Sequence, residues 1–317
     1  MTKTKHSIKL SAIIIIGRCR KRSQRAVNAL YKQTAASSME IIIVDLKEEG
    51  VPFLDTRKTI PTVYIKKSPE ETWARSRAAG IYQARGDIIA FVEDHAIPAQ
   101  DWAEILIQSH NGWAAVGYAF TNANPGSYMS RASMFSDYAF WMDPLPSGPS
   151  DLLPGNNVSY SREILLSLGD RLETDLGVDF NIHEELKKRG HTLYLEGKAK
   201  VAHENYDTLG MALVANHYYC WLLAANRRKS QAWSMGKRLF YGLAAPLGAP
   251  LIKIVRLIRR LRGRSALWKD FFITLPVLLL TYFWSAIGES MGYLFGFASS
   301  DKEFVKWELN RERVNPK

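Results

Sequence analysis

Three almost continuous apolar runs in the first third of the chain, SAIIIIG at 11–17, EIIIVDL at 40–46 and DIIAFVE at 87–93, restrict the fold more than any other feature. Strands that are apolar on both faces must be covered on both sides, which helices flanking a parallel sheet achieve. Helical spacing separates the runs. SQRAVNALYKQT (Ser23 to Thr34) has Ser23 placed to cap its start, and SPEETWARSRAAGIYQAR (Ser68 to Arg85) has proline and acids in its first turn and Gly86 at its end. TVYIKK, around Val63, adds a short strand. The alternation predicts an α/β fold with a mostly parallel, Rossmann-like sheet, whose ligands gather beyond the strand C-terminal ends. Asp45 and the triplet Glu93-Asp94-His95 sit at two such ends.

Beyond Trp102 the pattern loosens. GYAFTNANPGSYMSRASMF and PLPSGPSDLLPGNN carry the Pro and Gly content of a long surface excursion near a site. A short helix is expected over 161–168 and an amphipathic one from Asp179 to Arg189, closed by Gly190. TLYLEGKAKVAHEN then reads as a strand ending at His203.

The net charge of +11 is unevenly spread, for Arg227 to Lys269 is rich in Lys and Arg and holds no Asp or Glu. Apolar runs flank this block and stacking aromatics do not interleave it, which favours anionic lipid headgroups and argues against a nucleic-acid partner. Leu239 to Ile252 is apolar but interrupted by Pro246 and Pro250, so a short interfacial segment is expected. Phe271 to Gly288 offers about 18 uncharged residues, close to a bilayer span; a buried core helix is the other reading, and spanning or re-entering stays open. The chain is thus expected to divide into a catalytic domain over 1–225 and a basic, helical, membrane-associated region over 226–317, with the basic block on the cytoplasmic side of the cell membrane. Cys19 and Cys220 form no CxxC pattern and give no sign of a disulfide framework or a zinc site. The apolar run after the basic N-terminus is too short for a signal-peptide core and reads as the first strand.

Carboxylates at Glu93 and Asp94 suit a hard divalent ion, and an imidazole at His95 shifts the preference from magnesium toward manganese; a solvated turn is the alternative. At this point the order of motifs from Ile8 to His203 resembles the family 2 glycosyltransferases with the GT-A fold. EIIIVDL is similar to the family's nucleotide-binding strand, and Ala74-Arg75-Ser76 to its Ala-Arg-Asn segment. Gly86-Asp87, IIAFVEDHAIP and Trp102 resemble its Gly-Asp/Glu, strand, DxD-like motif, Pro and Trp. PGNNVSYSREIL resembles the acceptor-side Gly-Asn segment, and GVDFNIHEELKKRGHTLYLEGKAKVAH the element that carries the base and ends on a histidine. Departures are Gly17-Arg18-Cys19-Arg20 for Pro-Thr-Tyr-Asn, Leu46 for a second aspartate, Glu93-Asp94-His95 for DxD, and Val178-Asp179 for Glu-Asp.

The resemblance implies a membrane-associated, inverting glycosyltransferase that moves a sugar from a nucleotide-sugar donor to a lipid-linked or saccharide acceptor. Asp45 would contact the donor base and Arg75 approach the diphosphate. A divalent ion, Mn2+ favoured and Mg2+ possible, would be held by Asp94 with His95 or Glu93, and His203 would complete the site. Asn156 and Asn157 would meet the acceptor. A poor hydroxyl nucleophile needs a carboxylate base, assigned to Asp179, or to Asp175 or Glu184 if the register differs. Arg18, Arg20 and Arg22 either offset phosphate charge or form a solvated basic loop. Two other readings stay open. Leu46 and Val178 suit a catalytically inactive, membrane-attached nucleotide-sugar or glycan-binding module. A nucleotidyltransferase acting on sugar phosphates is the other, although no glycine-rich, lysine-bearing loop follows the first strand.

Overall fold

Every residue of β1 (Leu10–Ile16) and β2 (Met39–Leu46) is buried, as isoleucine runs covered on both faces require. The computed structural model describes residues 7–57, 59–177, 179–297, 304 and 307–310, with 179 and 180 by backbone alone. Between the two strands lies α1 (Arg20–Leu30), and then come β3 (Thr62–Lys67), α2 (Trp73–Gln83), β4 (Ile88–Glu93), β5 (Ala96–Pro98) and α3 (Trp102–Ser109). After β6 (Ala115–Asn122) and α4 (Tyr128–Tyr138) follow β7 (Gly148–Pro149), β8 (Val158–Ser161), α5 (Arg162–Leu166), α6 (Leu172–Asp175), α7 (Asp179–Lys188) and β9 (Leu193–His203). The chain closes with α8 (Leu209–Ser230), α9 (Met235–Leu261) and α10 (Trp268–Phe295).

The chain divides into two units, one of the residues up to Thr121 with Asp143–His203, the other of Asn122–Met142 with the residues from Glu204 on. The boundary expected near 225 falls inside α8.

In the first unit the strand order is β3-β2-β1-β4-β8-β6-β9-β5, with β7 beside β9. The four strands from β3 to β4 run parallel, and the β4–β8, β8–β6, β5–β9 and β7–β9 pairs are antiparallel. The sheet is therefore mixed, its parallel half being the part announced by the apolar runs. Ile16 pairs with Asp45 and Ile15 with Glu93, so both acids end strands that flank β1 at nearly the same level. With strands spaced by about 4.8 Å, the ends of β2 and β4 lie roughly 10 Å apart across β1.

Several local expectations change. Helix α1 starts at Arg20, and Ser23 is inside it, its hydroxyl 3.1 Å from both the Cys19 carbonyl and Asp94 Oδ2 instead of capping the helix. Helix α2 begins after the Ser68-Pro69-Glu70 stretch, capped by the Thr72 hydroxyl, which accepts from Arg75 N–H. It ends at Gln83, with Ala84 as the cap, while Gly86 serves another purpose: a Cβ there would stand 2.7 Å from the Ser11 nitrogen, so only glycine lets this turn run against β1. The expected loose excursion after Trp102 contains β6 and α4.

In the second unit α8 packs along α10 through glycines. A Cβ on Gly288 would meet the His217 carbonyl oxygen and one on Gly292 that of Trp221, the close approach that small residues permit. Helix α9 runs unbroken through Pro246 and Pro250, where a short interrupted segment was expected. Pro246 leaves the Gly242 carbonyl without its helical donor, and the Ser290 hydroxyl on α10 supplies one at 2.5 Å. Among the described residues two stretches, Met235–Leu261 and Ser265–Phe295, are long and apolar enough to cross a membrane.

Candidate active site

Several charged side chains of the first unit meet at the C-terminal edge of the parallel strands. At the end of β2, Asp45 is fully buried, and both its oxygens accept from Arg20 Nη2 at 3.0 and 3.1 Å. The Tyr64 hydroxyl, from β3, donates to the same carboxylate. Burial and that contact with Asp45 push the Tyr64 phenol well above its ordinary value. Phe53 packs edge-on against Tyr64 with ring centroids 5.3 Å apart, and Lys47 Nζ lies 3.7 Å over the Phe53 ring. Arg18 pairs with Glu48 at 3.5 Å.

At the end of β4, the antiparallel pairing of β5 with β9 sets Ala96 opposite His203 and so brings the last residue of β9 beside His95. The two imidazoles meet edge to face with centroids 4.6 Å apart. His203 Nε2 is 3.4 Å and His95 Nε2 3.7 Å from Glu93 Oε2. One ligand atom from each of Glu93, His95 and His203 lies within 4.8 Å of the others, a spacing that one metal ion can bridge. A carboxylate oxygen with two imidazole nitrogens fits a borderline divalent ion such as Mn2+ better than Mg2+, which prefers all-oxygen sites.

Asp94, expected as a ligand, lies just outside this group. It is buried, and its Oδ2 accepts from Arg22 Nε and Ser23 Oγ, both at 3.1 Å, while Oδ1 faces His95 Nδ1 at 2.9 Å. Burial alone would raise its carboxyl, but the Arg22 guanidinium and His95 hold it below the ordinary carboxylate range. Arg22 is thus a buried partner of an acid rather than part of a solvated loop.

Asn156 and Asn157, expected at the acceptor, both donate to Glu93, Asn156 Nδ2 at 2.9 Å to Oε1 and Asn157 Nδ2 to Oε2. Asn157 Oδ1 also accepts from the Glu93 amide, so this fully buried residue is occupied in fixing the strand end. Asn156 remains exposed.

Arg75 stands at the start of α2, well exposed, 3.4 Å from Glu71 and 3.7 Å from Glu173. The arginine of α2 that turns inward is Arg77, which donates to the Leu176 carbonyl at 2.8 Å and to Asn156 Oδ1 at 2.9 Å and lies over Phe91. Its position was readable: residues 74, 77, 78 and 81 recur at helical spacing and form the buried face of α2. Asp179 is the first residue of α7, its side chain and Val178 lying outside the described residues. Asp175 pairs with Arg171 at 2.7 Å, and Glu184 with Lys187 at 2.5 Å.

Residues 11–145 match the family model for glycosyl transferase family 2. The chain is a glycosyltransferase with a GT-A-like fold. The mannosyltransferase PcManGT from Pyrobaculum calidifontis, solved with GDP-Man and Mn2+, superposes with a TM-score of 0.59 at 14% identity, over 90% of this chain and 87% of its own. At that identity the likeness establishes the fold. The S. aureus TarS segment 1–349 gives a TM-score of 0.46 at 14% identity, covering 87% of this chain and 89% of that one, and adds no argument. No curated protein matches the chain in sequence.

Proposed function

We propose that this chain transfers a sugar from a nucleotide-sugar donor to a lipid-linked or saccharide acceptor at a membrane surface, with inversion at the anomeric carbon. The observation that carries the reading is the convergence of Glu93, His95 and His203 at the same sheet edge as Asp45. Glu93, His95 and His203 would hold a divalent ion, Mn2+ by preference, and the Mn2+ in the PcManGT structure accords with this. Such an ion supplies positive charge for the diphosphate that leaves.

Everything else falls to the chain. Asn156 and Asn157 keep the Glu93 carboxylate in place, and Arg77 holds Asn156. Arg20 and Asp45 form the donor-nucleotide side. Asp179, opening α7, takes the proton of the acceptor hydroxyl as its oxygen bonds to the anomeric carbon and the bond to the phosphate oxygen breaks. Exposed Asn156 is placed to meet the acceptor.

Helix α9 turns Phe240, Leu243, Leu247 and Leu251 outward at 68, 71, 77 and 68% exposure, an apolar stripe suited to lipid. Arg256, Arg259, Arg260 and Arg262 follow it, matching anionic headgroups on the cytoplasmic face. Incubation of the full chain in detergent with GDP-, UDP-, dTDP- and CDP-sugars and Mn2+ tests the proposal. One donor should release nucleoside diphosphate. Donor binding without turnover of any would favour the inactive module.

A further inference from the structure

Asp94 lies between two metal-capable residues in sequence yet spends both oxygens inside the protein. Its Oδ2 takes the Arg22 Nε–H and the Ser23 hydroxyl from α1, and its Oδ1 faces His95 Nδ1. Arg22, Ser23, Asp94 and His95 are each at most 3% exposed. A carboxylate that already receives a guanidinium and a hydroxyl is ionised and can only accept. The proton between it and His95 therefore belongs to Nδ1, which leaves the Nε2 lone pair on the side of Glu93 and His203.

We propose that Asp94 is a positioning residue for the cation site: buttressed by Arg22 and Ser23, it fixes the tautomer and ring plane of His95 so that Nε2 serves as a ligand. This inference rests on the Glu93-His95-His203 cluster being a metal site. A carboxylate behind a ligating imidazole orients the ring and raises its basicity, and losing such a partner commonly weakens metal binding by about 10 to 100-fold. The arrangement also ties metal choice to α1. Nitrogen donation from His95 favours Mn2+ over Mg2+, so loosening Asp94 erodes that discrimination as well as the affinity. The same helix start carries Arg20, latched to Asp45, so one short element supports both the nucleotide edge and the cation edge.

The test is a Mn2+ titration of the full-length protein in detergent, followed by the electron paramagnetic resonance of free Mn2+, with Mg2+ competition. Wild type, Asp94→Asn, His95→Gln and the double variant are compared, with thermal unfolding as the check on folding. Asp94→Asn should bind Mn2+ about 10 to 100-fold more weakly and lose much of its preference over Mg2+. It should add nothing in the His95→Gln background, because Asp94 acts through that ring. An unchanged Asp94→Asn, or a full additional loss in the His95→Gln background, overturns the positioning role. If Asp94→Asn does not fold, Ser23→Ala takes its place: it keeps the Arg22–Asp94 pair and should lower Mn2+ affinity by a smaller factor, and no change counts against the proposal. A wild type that binds no Mn2+ instead overturns the metal site itself.

Discussion

His203 Nε2, at the last residue of β9, stands 3.4 Å from Glu93 Oε2, at the last residue of β4. Neither strand end alone offers three ligand atoms; the antiparallel pairing of β5 with β9 brings them together. Removing either partner should therefore abolish stabilisation by Mn2+. Glu93→Gln and His203→Ala should each lose the rise in melting temperature that Mn2+ gives the wild type, and Mg2+ should give the wild type a smaller rise than Mn2+. Equal shifts with both ions in the wild type would contradict the nitrogen-bearing ligand set.

Asp179→Asn should lower the turnover number by about 10² to 10⁴-fold while leaving donor affinity in place, since a general base acts on the acceptor proton. Steady-state kinetics with donor and acceptor varied separately provide the check. A variant that keeps its turnover number would move the base to another carboxylate.

Asp45 is sealed against Arg20, so its first duty is structural. Asp45→Asn leaves a largely buried guanidinium without its counter-charge and should cost about 3 kcal/mol. Thermal unfolding without ligand measures this. If stability is unaffected and only nucleotide affinity falls, Asp45 serves the ligand and not the fold.

Two histidines should make the fold acid-sensitive. Burial lowers His183 from its ordinary 6.5 to about 3 and His110 from 6.5 to about 4. His183 shares a 2.8 Å hydrogen bond with the Tyr160 hydroxyl, and His110 a 2.9 Å one with Ser159 Oγ. Both pKa values are depressed in the folded state, so below about pH 6.5 the unfolded chain takes up protons that the folded chain refuses. Stability is fully present above that pH and should fall between about pH 6 and pH 5 by up to about 1.4 kcal/mol per pH unit for each histidine, the share of His110 flattening near its folded value of about 4. Unfolding midpoints at pH 7, 6, 5 and 4 give the slope, and His183→Gln should reduce it.

The outward stripe of α9 predicts where the chain resides. Wild type should sediment with membranes at low salt, and Leu247→Glu with Leu251→Glu should shift a large share into the soluble fraction, because charge in hydrocarbon is costly. Quantitative recovery of the wild type in the soluble fraction would oppose the membrane reading.

The parallel half of the sheet was legible because isoleucine runs bury both faces and admit few alternatives. The basic block and the apolar segment from Phe271 were legible for similar reasons, being properties of composition over long windows. Side-chain pairing was not. Nothing in the order of residues says that Arg22 and Ser23 will meet Asp94, or that Asn156 and Asn157 will be spent on Glu93, since those contacts follow from tertiary placement. The choice between Arg75 and Arg77 lay within reach of helical periodicity, which favours Arg77 beside Ala74, Ala78 and Ile81. The continuity of α9 through Pro246 depended on a hydroxyl from another helix.

Metal-assisted transfer at Glu93, His95 and His203 is the step on which the proposed function depends. The most direct measurement is nucleoside diphosphate release from the preferred nucleotide sugar by the full-length protein, with Mn2+ or with EDTA, in wild type and His203→Ala. Release by the wild type should require Mn2+ and fall by at least about 10²-fold in His203→Ala. Turnover that persists in EDTA, or is unchanged in His203→Ala, would contradict it.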